Sequence, residues 1–224
     1  MSSEVLDSIS NDEKKRQEAF FELVGTEKSY ILDLQLIIEL FFVPISEFLN
    51  RNDLNHLFQN ITELLDINTR LFDDLETSLT TQNFLVERIG VLFLSHVQYL
   101  EYYTTYCSKL SRGIAFLQKK RASDKRLGDF LRETLRNPRC RNLDLSSFLL
   151  LPMQRITRYT LIFKQILHHT PVMHPDYDQT VQSYELSQGT ADMINSAAID
   201  QENKDKLEEM ISQINFADFE VFFN

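Results

Sequence analysis

Glu27 falls, at 100° per residue, in the middle of an apolar helical stripe made of Phe20, Leu23, Val24, Tyr30, Ile31, Leu34, Ile38 and Phe41. Burying an ionised carboxylate without a partner costs several kcal/mol. Glu27 therefore either pairs internally or lies where the stripe surfaces, open to the hydroxyl and backbone donors of a partner. A second constellation is FLLLPMQRITRYTLIFKQILHHT, Phe148 to Thr170. As a helix it puts Leu145, Leu149, Pro152, Ile156, Tyr159, Phe163, Ile166 and Leu167 on one side. Ser147, Gln154, Arg158 and Gln165 lie opposite, with Leu143 and Leu161 among them. Leucines set between fixed amide and guanidinium donors suit contact with another protein, although a solvated face fits the same pattern. A third is Val181, Tyr184, Gln188, Ala191, Asn195 and Ala198, with Ile199 beside them. Asn195 either sets the register of this seam or, with Ala191, Ala197 and Ala198 around it, admits another chain closely.

Covalent chemistry finds no support. Neither GxxxxGK[ST] nor GxGxxG occurs, and there is no HExxH and no Glu-x-x-His pair. His168, His169 and His174 cluster without thiolates or spaced carboxylates, and Cys140 has no histidine nearby in sequence.

The elements that must position these residues are helices. Only five glycines and five prolines interrupt 224 residues, enough chain for one good-sized domain. Residues 1–9 read as a loose tail, and Ser10 with Glu13 forms a capping box that opens a helix running to about Phe42, where Pro44 stops it. Short and longer helices are expected over Ser46–Leu57 and Ile61–Leu79, then, after Thr80–Asn83, one long helix from Val86 to Arg121. An irregular basic stretch, Arg126–Arg136, leads through NPRCRN into the two-faced helix, Asp144–His169. Pro171, Pro175 and Asp176 mark a turn and N-cap before a final helix, Tyr177–Ile214. These elements make an elongated all-α antiparallel bundle in a single domain, residues 10–214, with 215–224 as tail or linker.

Net charge is −10 but unevenly spread. Lys109 to Lys164 holds fourteen Lys and Arg against four acids (Asp124, Asp129, Glu133, Asp144), leaving nine basic and twenty-nine acidic residues elsewhere. That acidic remainder argues against nucleic acid, while the basic middle fits an acidic protein, anionic headgroups or plain solvated helix faces. The N-terminus lacks a signal-peptide pattern, no run of about 18 uncharged apolar residues is present, and Cys107 and Cys140 read as reduced, buried thiols. A cytoplasmic protein is expected.

Three blocks carry a family resemblance. FFELVGTEKSYILDLQLIIELFFVPI (Phe20–Ile45) resembles the first signature block of Dbl-homology domains, the exchange-factor modules of Rho-family GTPases. SSFLLLPMQRITRYTLIFKQILHHTP (Ser146–Pro171) resembles their third block, in the intersectin type, and ERIGVLFLSHVQYLEYYTTYC their middle helix. The likeness spans about Asp12 to Ile214. It implies that Glu27, the glutamate of the family's TE pair, engages switch I of the GTPase, and that Gln154, Arg158 and Leu161 pack on switch II. It further implies that Asn195 meets a switch II arginine and that Asn142 and Leu143 read the GTPase strands. Arg155, Gln165 and Ile199 are assigned to the same surface. Arg158 stands where many relatives carry lysine, and Thr160 follows Tyr159 where proline is usual.

What the resemblance implies is a guanine-nucleotide exchange module acting without covalent chemistry, its partner a Rho-family GTPase, the Cdc type favoured over Rac or Rho. Mg²⁺ would belong to the partner, and no cofactor or metal is expected here. Arg136, Arg139 and Arg141 would face acidic residues of the GTPase. A monomer is expected; membrane-surface binding through the basic middle, at the cell cortex or plasma membrane, is a third reading. A helical scaffold that has lost exchange activity is the alternative. A pleckstrin-homology domain usually follows such modules, and this sequence is too short to hold one.

Overall fold

The computed structural model describes residues 9–213; the expected C-terminal tail and all but the end of the N-terminal tail lie outside them. Helix α1, Asn11–Ile37, opens as its cap predicts: the Ser10 hydroxyl accepts from the Glu13 amide at 3.1 Å, and Asp12 and Glu13 sit in the first turn. Pro44 does not stop it. A wide π turn, Ile38–Phe42, carries the chain straight into α2, Val43–Ser46. Pro44 has no amide to donate and its ring would crowd the preceding turn, so widening the ladder just before it keeps the helix going. The span Asn11–Ser46 is long and apolar enough to cross a membrane by length and composition. Here Phe20, Leu23, Leu34 and Ile37 of that span pack into the bundle with no exposure.

Helix α3, Arg51–Phe58, begins later than expected, because Asn50 caps it by accepting from the Asp53 amide at 2.9 Å. Helix α4 is Ile61–Thr81. The single helix expected from Val86 to Arg121 is instead α5, Ile89–Leu94, a 3-10 turn, Val97–Tyr99, and α6, Leu100–Ser123. At the break the buried His96 ring reaches Asp74 of α4 at 2.7 Å. The basic stretch read as irregular is a regular helix, α7, Lys125–Thr134, capped by Asp124 and seated on Leu127 and Leu131. Its charges obscured an ordinary amphipathic spacing. The two-faced helix is also divided. Helix α8, Leu145–Leu149, is capped by Asp144, and α9, Leu151–His168, starts after Leu150, where Pro152 withholds an amide. Helix α10 is Tyr177–Gln213.

Among the described residues there is no strand, and α9 lies centrally, packed against α10, α1 and α6. The α10 seam is one residue earlier than expected. Thr180, Ser183, Ser187, Thr190, Ala191 and Ile194 are buried, leaving Val181, Tyr184 and Gln188 half-buried and Asn195 exposed. These hydroxyls donate to their own helix's carbonyls, as Ser187 does to Ser183 at 2.8 Å, so small polar side chains are buried without orphaned donors. Small side chains let α5 approach closely.

Asp176 ties this end together. Its carboxylate accepts from the Gly90 and Val91 amides at 2.7 and 3.1 Å, and from Arg16 at 3.1 Å. A Cβ on Gly90 would lie 2.5 Å from the Thr180 nitrogen. Gly90→Ala should therefore cost roughly 1–3 kcal/mol, read as a lowered midpoint in urea with an unchanged slope.

Candidate functional site

Glu27 is fully buried and has internal partners. Its Oε2 accepts from the Arg155 guanidinium at 2.5 Å and from the Tyr159 hydroxyl at 2.7 Å. Arg155 also donates to the Thr26 hydroxyl at 2.8 Å. Asn68 of α4 completes the cluster. Its amide donates to the Leu64 carbonyl at 2.6 Å, so its oxygen must accept, taking Tyr103 at 2.7 Å and lying 3.0 Å from Tyr159. Burial pushes the Glu27 carboxyl above the usual carboxylate range, opposed by the charge of Arg155 and the Tyr159 hydrogen bond. Burial works against the charge on Arg155, but Glu27, Tyr159 and Tyr103 together outweigh it and the guanidinium is held more firmly protonated than usual.

Two sequence expectations are corrected here. Glu27 is not open to solvent; it is the internally paired residue of the two readings. Arg155 is not on the outer face, since its side chain is 3% exposed. Phase carried the signal: at 100° per residue Arg155 projects between Ile162 and Ile166, inside the buried arc. Asn68, Tyr103 and Tyr159 were missed as polar partners. Asn68 is signalled by its place on the apolar face of α4 beside Leu64, Ile67 and Leu71.

Above this cluster α1 and α9 leave a groove of about 390 Å³, lined from α1 by Thr26, Ser29 and Asp33 and from α9 by Gln154, Arg158 and Leu161. A second groove, about 370 Å³, continues past Arg158 and Leu161 to Gln165, facing Lys15, Glu18 and Glu22. Gln154, Arg158, Leu161 and Gln165 are thus gathered along one seam, all exposed, Leu161 by 62%. Thr26, Ser29 and Asp33 are groove residues that the sequence reading did not pick out. Asn142 is exposed in a left-handed backbone conformation, φ 60°. Leu143 is half-buried in a separate apolar slot with Phe41 and Leu117. Asn195 and Ile199 are exposed on α10 and line neither groove. The three arginines expected to face a GTPase already have acids: Arg136 pairs with Glu133, Arg139 with Glu39 and Arg141 with Asp33, at 2.9, 2.7 and 2.6 Å.

Among the described residues no three His, Cys, Asp or Glu converge as metal ligands. The Cys107 thiol is pushed up to about 12 by burial, which keeps it protonated and unreactive at neutral pH. The groove offers amide, guanidinium and hydroxyl groups beside an apolar side chain, an arrangement suited to binding.

A family model for the RhoGEF domain matches residues 19–195. Intersectin-1 of Xenopus laevis is 35% identical over 208 residues, 91% of this chain but 12% of that protein. The chain thus spans about an eighth of that relative. The solved DH/PH domains of p115-RhoGEF superpose with a TM-score of 0.83 at 25% identity, covering 97% of this chain and 60% of that one. The DH/PH fragment of PDZRHOGEF, solved in complex with human RhoA, gives 0.83 at 24% identity, covering 92% and 60%.

Removing the carboxylate leaves Arg155 charged and unpaired in the core. Glu27→Ala should lose roughly 3–5 kcal/mol in urea denaturation, whereas Gln154→Ala and Arg158→Ala should each stay within about 0.5 kcal/mol.

Proposed function

The chain belongs to the RhoGEF domain family, and from that premise we propose that it binds a Rho-family GTPase along the α1–α9 groove and promotes GDP release. The supporting observation is the exposed row Gln154, Arg158 and Leu161, set over a packed and charge-paired floor. An amide, a guanidinium and an apolar side chain at successive turns of one helix offer directional donors around a desolvating contact, the composition of a protein interface. The solved complex of a related DH/PH fragment holds RhoA.

The activity is one of coupling. A protein that binds the nucleotide-free GTPase more tightly than the loaded form must, by reciprocity, weaken nucleotide by the same factor. Gln154, Arg158 and Leu161 would remodel switch II, displacing it from the partner's own Mg²⁺ and phosphates. Gln165, Asn195, Ile199, Asn142 and Leu143 would extend the contact, the last two bearing on the choice of partner, with the Cdc type favoured. Glu27 acts from beneath. Its Oε1 is buried with no hydrogen-bond partner, and Thr26, Tyr30 and Arg155 around it line the groove. A switch I hydroxyl would reach that oxygen once a groove side chain such as Thr26 turns aside, so the orphaned acceptor favours the bound state. The chain would act as a monomer from the cytoplasm.

The deciding experiment follows release of fluorescent GDP from a panel of Rho-family GTPases mixed with this chain. Acceleration is expected for at least one member. Arg158→Glu should reduce that acceleration tenfold or more, on the order of a lost interface charge contact, without moving the melting temperature. Unchanged release across the panel would leave the helical scaffold as the reading.

A further inference from the structure

Six of the fourteen cations of the basic middle are already neutralised. Lys120 pairs with Asp53, Arg132 with Asp129, Arg155 with Glu27, and Arg136, Arg139 and Arg141 with their own acids. Six others behave differently. Lys109, Arg112, Lys119, Arg121, Lys125 and Arg126 are exposed, and among the described residues none has an acidic side chain within ion-pair distance. Between Tyr102 and Ser123, almost the whole of α6, no acid occurs at all. At 100° per residue Lys109, Arg112 and Lys119 fall within about 80° of one another, on the side of α6 away from its buried Tyr103, Tyr106, Leu110 and Leu117. Arg121, Lys125 and Arg126 carry the charge on into α7. None of Lys109, Arg112, Lys119, Lys125 and Arg126 lines the α1–α9 groove.

We propose that this face of α6 and the start of α7 docks on an anionic lipid surface. The shape selects the partner. The face is one side of a continuous helix, about 15 Å from Lys109 to Lys119, whose exposed neighbours Ser108, Ser111 and Ala115 are short. Long cationic side chains standing above small ones reach a plane of diffuse negative charge without obstruction. A docked acidic peptide would need apolar anchors between its charges, and here serine and alanine fill those positions. Nucleic acid is disfavoured by the twenty-nine acids against nine cations outside the basic middle. Unpaired surface cations next to anionic headgroups each add a small attraction that is lost to screening at high salt.

The test is co-sedimentation of the full chain with phosphatidylcholine vesicles containing about 30% phosphatidylserine, against phosphatidylcholine alone. Binding to the anionic vesicles only is expected, released when salt rises from about 0.05 M to about 0.5 M. The combined variant Lys109→Gln, Arg112→Gln, Lys119→Gln and Arg121→Gln should weaken partitioning by roughly five-fold per charge removed, with its melting temperature unchanged. The control Arg132→Gln with Arg136→Gln, which removes cations already paired, should change partitioning far less. No binding to anionic vesicles at low salt, or equal losses in the two variants, would overturn the proposal. Capture by immobilised polyglutamate with the vesicles left unbound would assign the face to an acidic protein and overturn it equally.

Discussion

A single carboxylate with no access to water governs how four helices of this bundle meet. Glu27 on α1 must have a cation, and the one in reach, Arg155, is on α9. Tyr159, one turn further along α9, donates to the same oxygen. Asn68 on α4, its oxygen turned inward because its amide donates to Leu64, takes the hydroxyl of Tyr103 on α6. An apolar interface between long helices tolerates sliding by a turn at modest cost, whereas sliding here would strand a buried charge. The leucines and phenylalanines supply most of the driving force for collapse, and the polar cluster selects one register from the packings they would allow.

A second lock holds the far end of α1. Arg16, also without exposure, is eleven residues before Glu27, about 16 Å along the axis. It joins Asp176 and donates to the carbonyls of Val86 and Glu87, while Gln17 exchanges two hydrogen bonds with the Val86 backbone. The strand of chain entering α5 and the turn entering α10 are thereby fixed to the same helix. Asp176 also meets the first amides of α5, where the helix dipole favours its charge. Helix α1 is pinned at two points, and the groove it forms with α9 has its width set by both.

How much of this was legible in the sequence follows from which forces are local. Apolar spacing located α1, α4, α10 and the end of α9 to within a few residues, because burial of a stripe is a property of the segment itself. Prolines misled in both directions. Pro44 reads as a stop, yet a π turn absorbs it, and Pro152 reads as part of a continuous face, yet it starts a new helix. Each outcome depends on what the neighbouring turn can give up, which spacing does not record. Glu27 was visible as misplaced, but its partner lies 128 residues away, and the arginine that answers it was read onto the wrong face. The acids that neutralise Arg139 and Arg141 are likewise remote, on α1 and the turn after it. Charge composition pointed to a basic middle without telling which of its cations were spoken for.

The alternation along α9 joins the two halves of the molecule. Gln154 is exposed and Arg155 buried; Arg158 is exposed and Tyr159 buried. Gln154 and Arg158 are thus each bonded directly to a residue locked in the polar cluster. Under the proposed activity this adjacency matters more than the identity of any contact. A surface that gave way on docking would lose the binding energy to its own rearrangement, and a GTPase could keep its nucleotide while bound. A face whose backbone is held by a buried ion pair moves less than the switch segments it meets, so the strain of fitting falls on the partner. The polar core that fixes the register of the bundle is, on that view, the same device that makes its outer face stiff enough to displace a nucleotide.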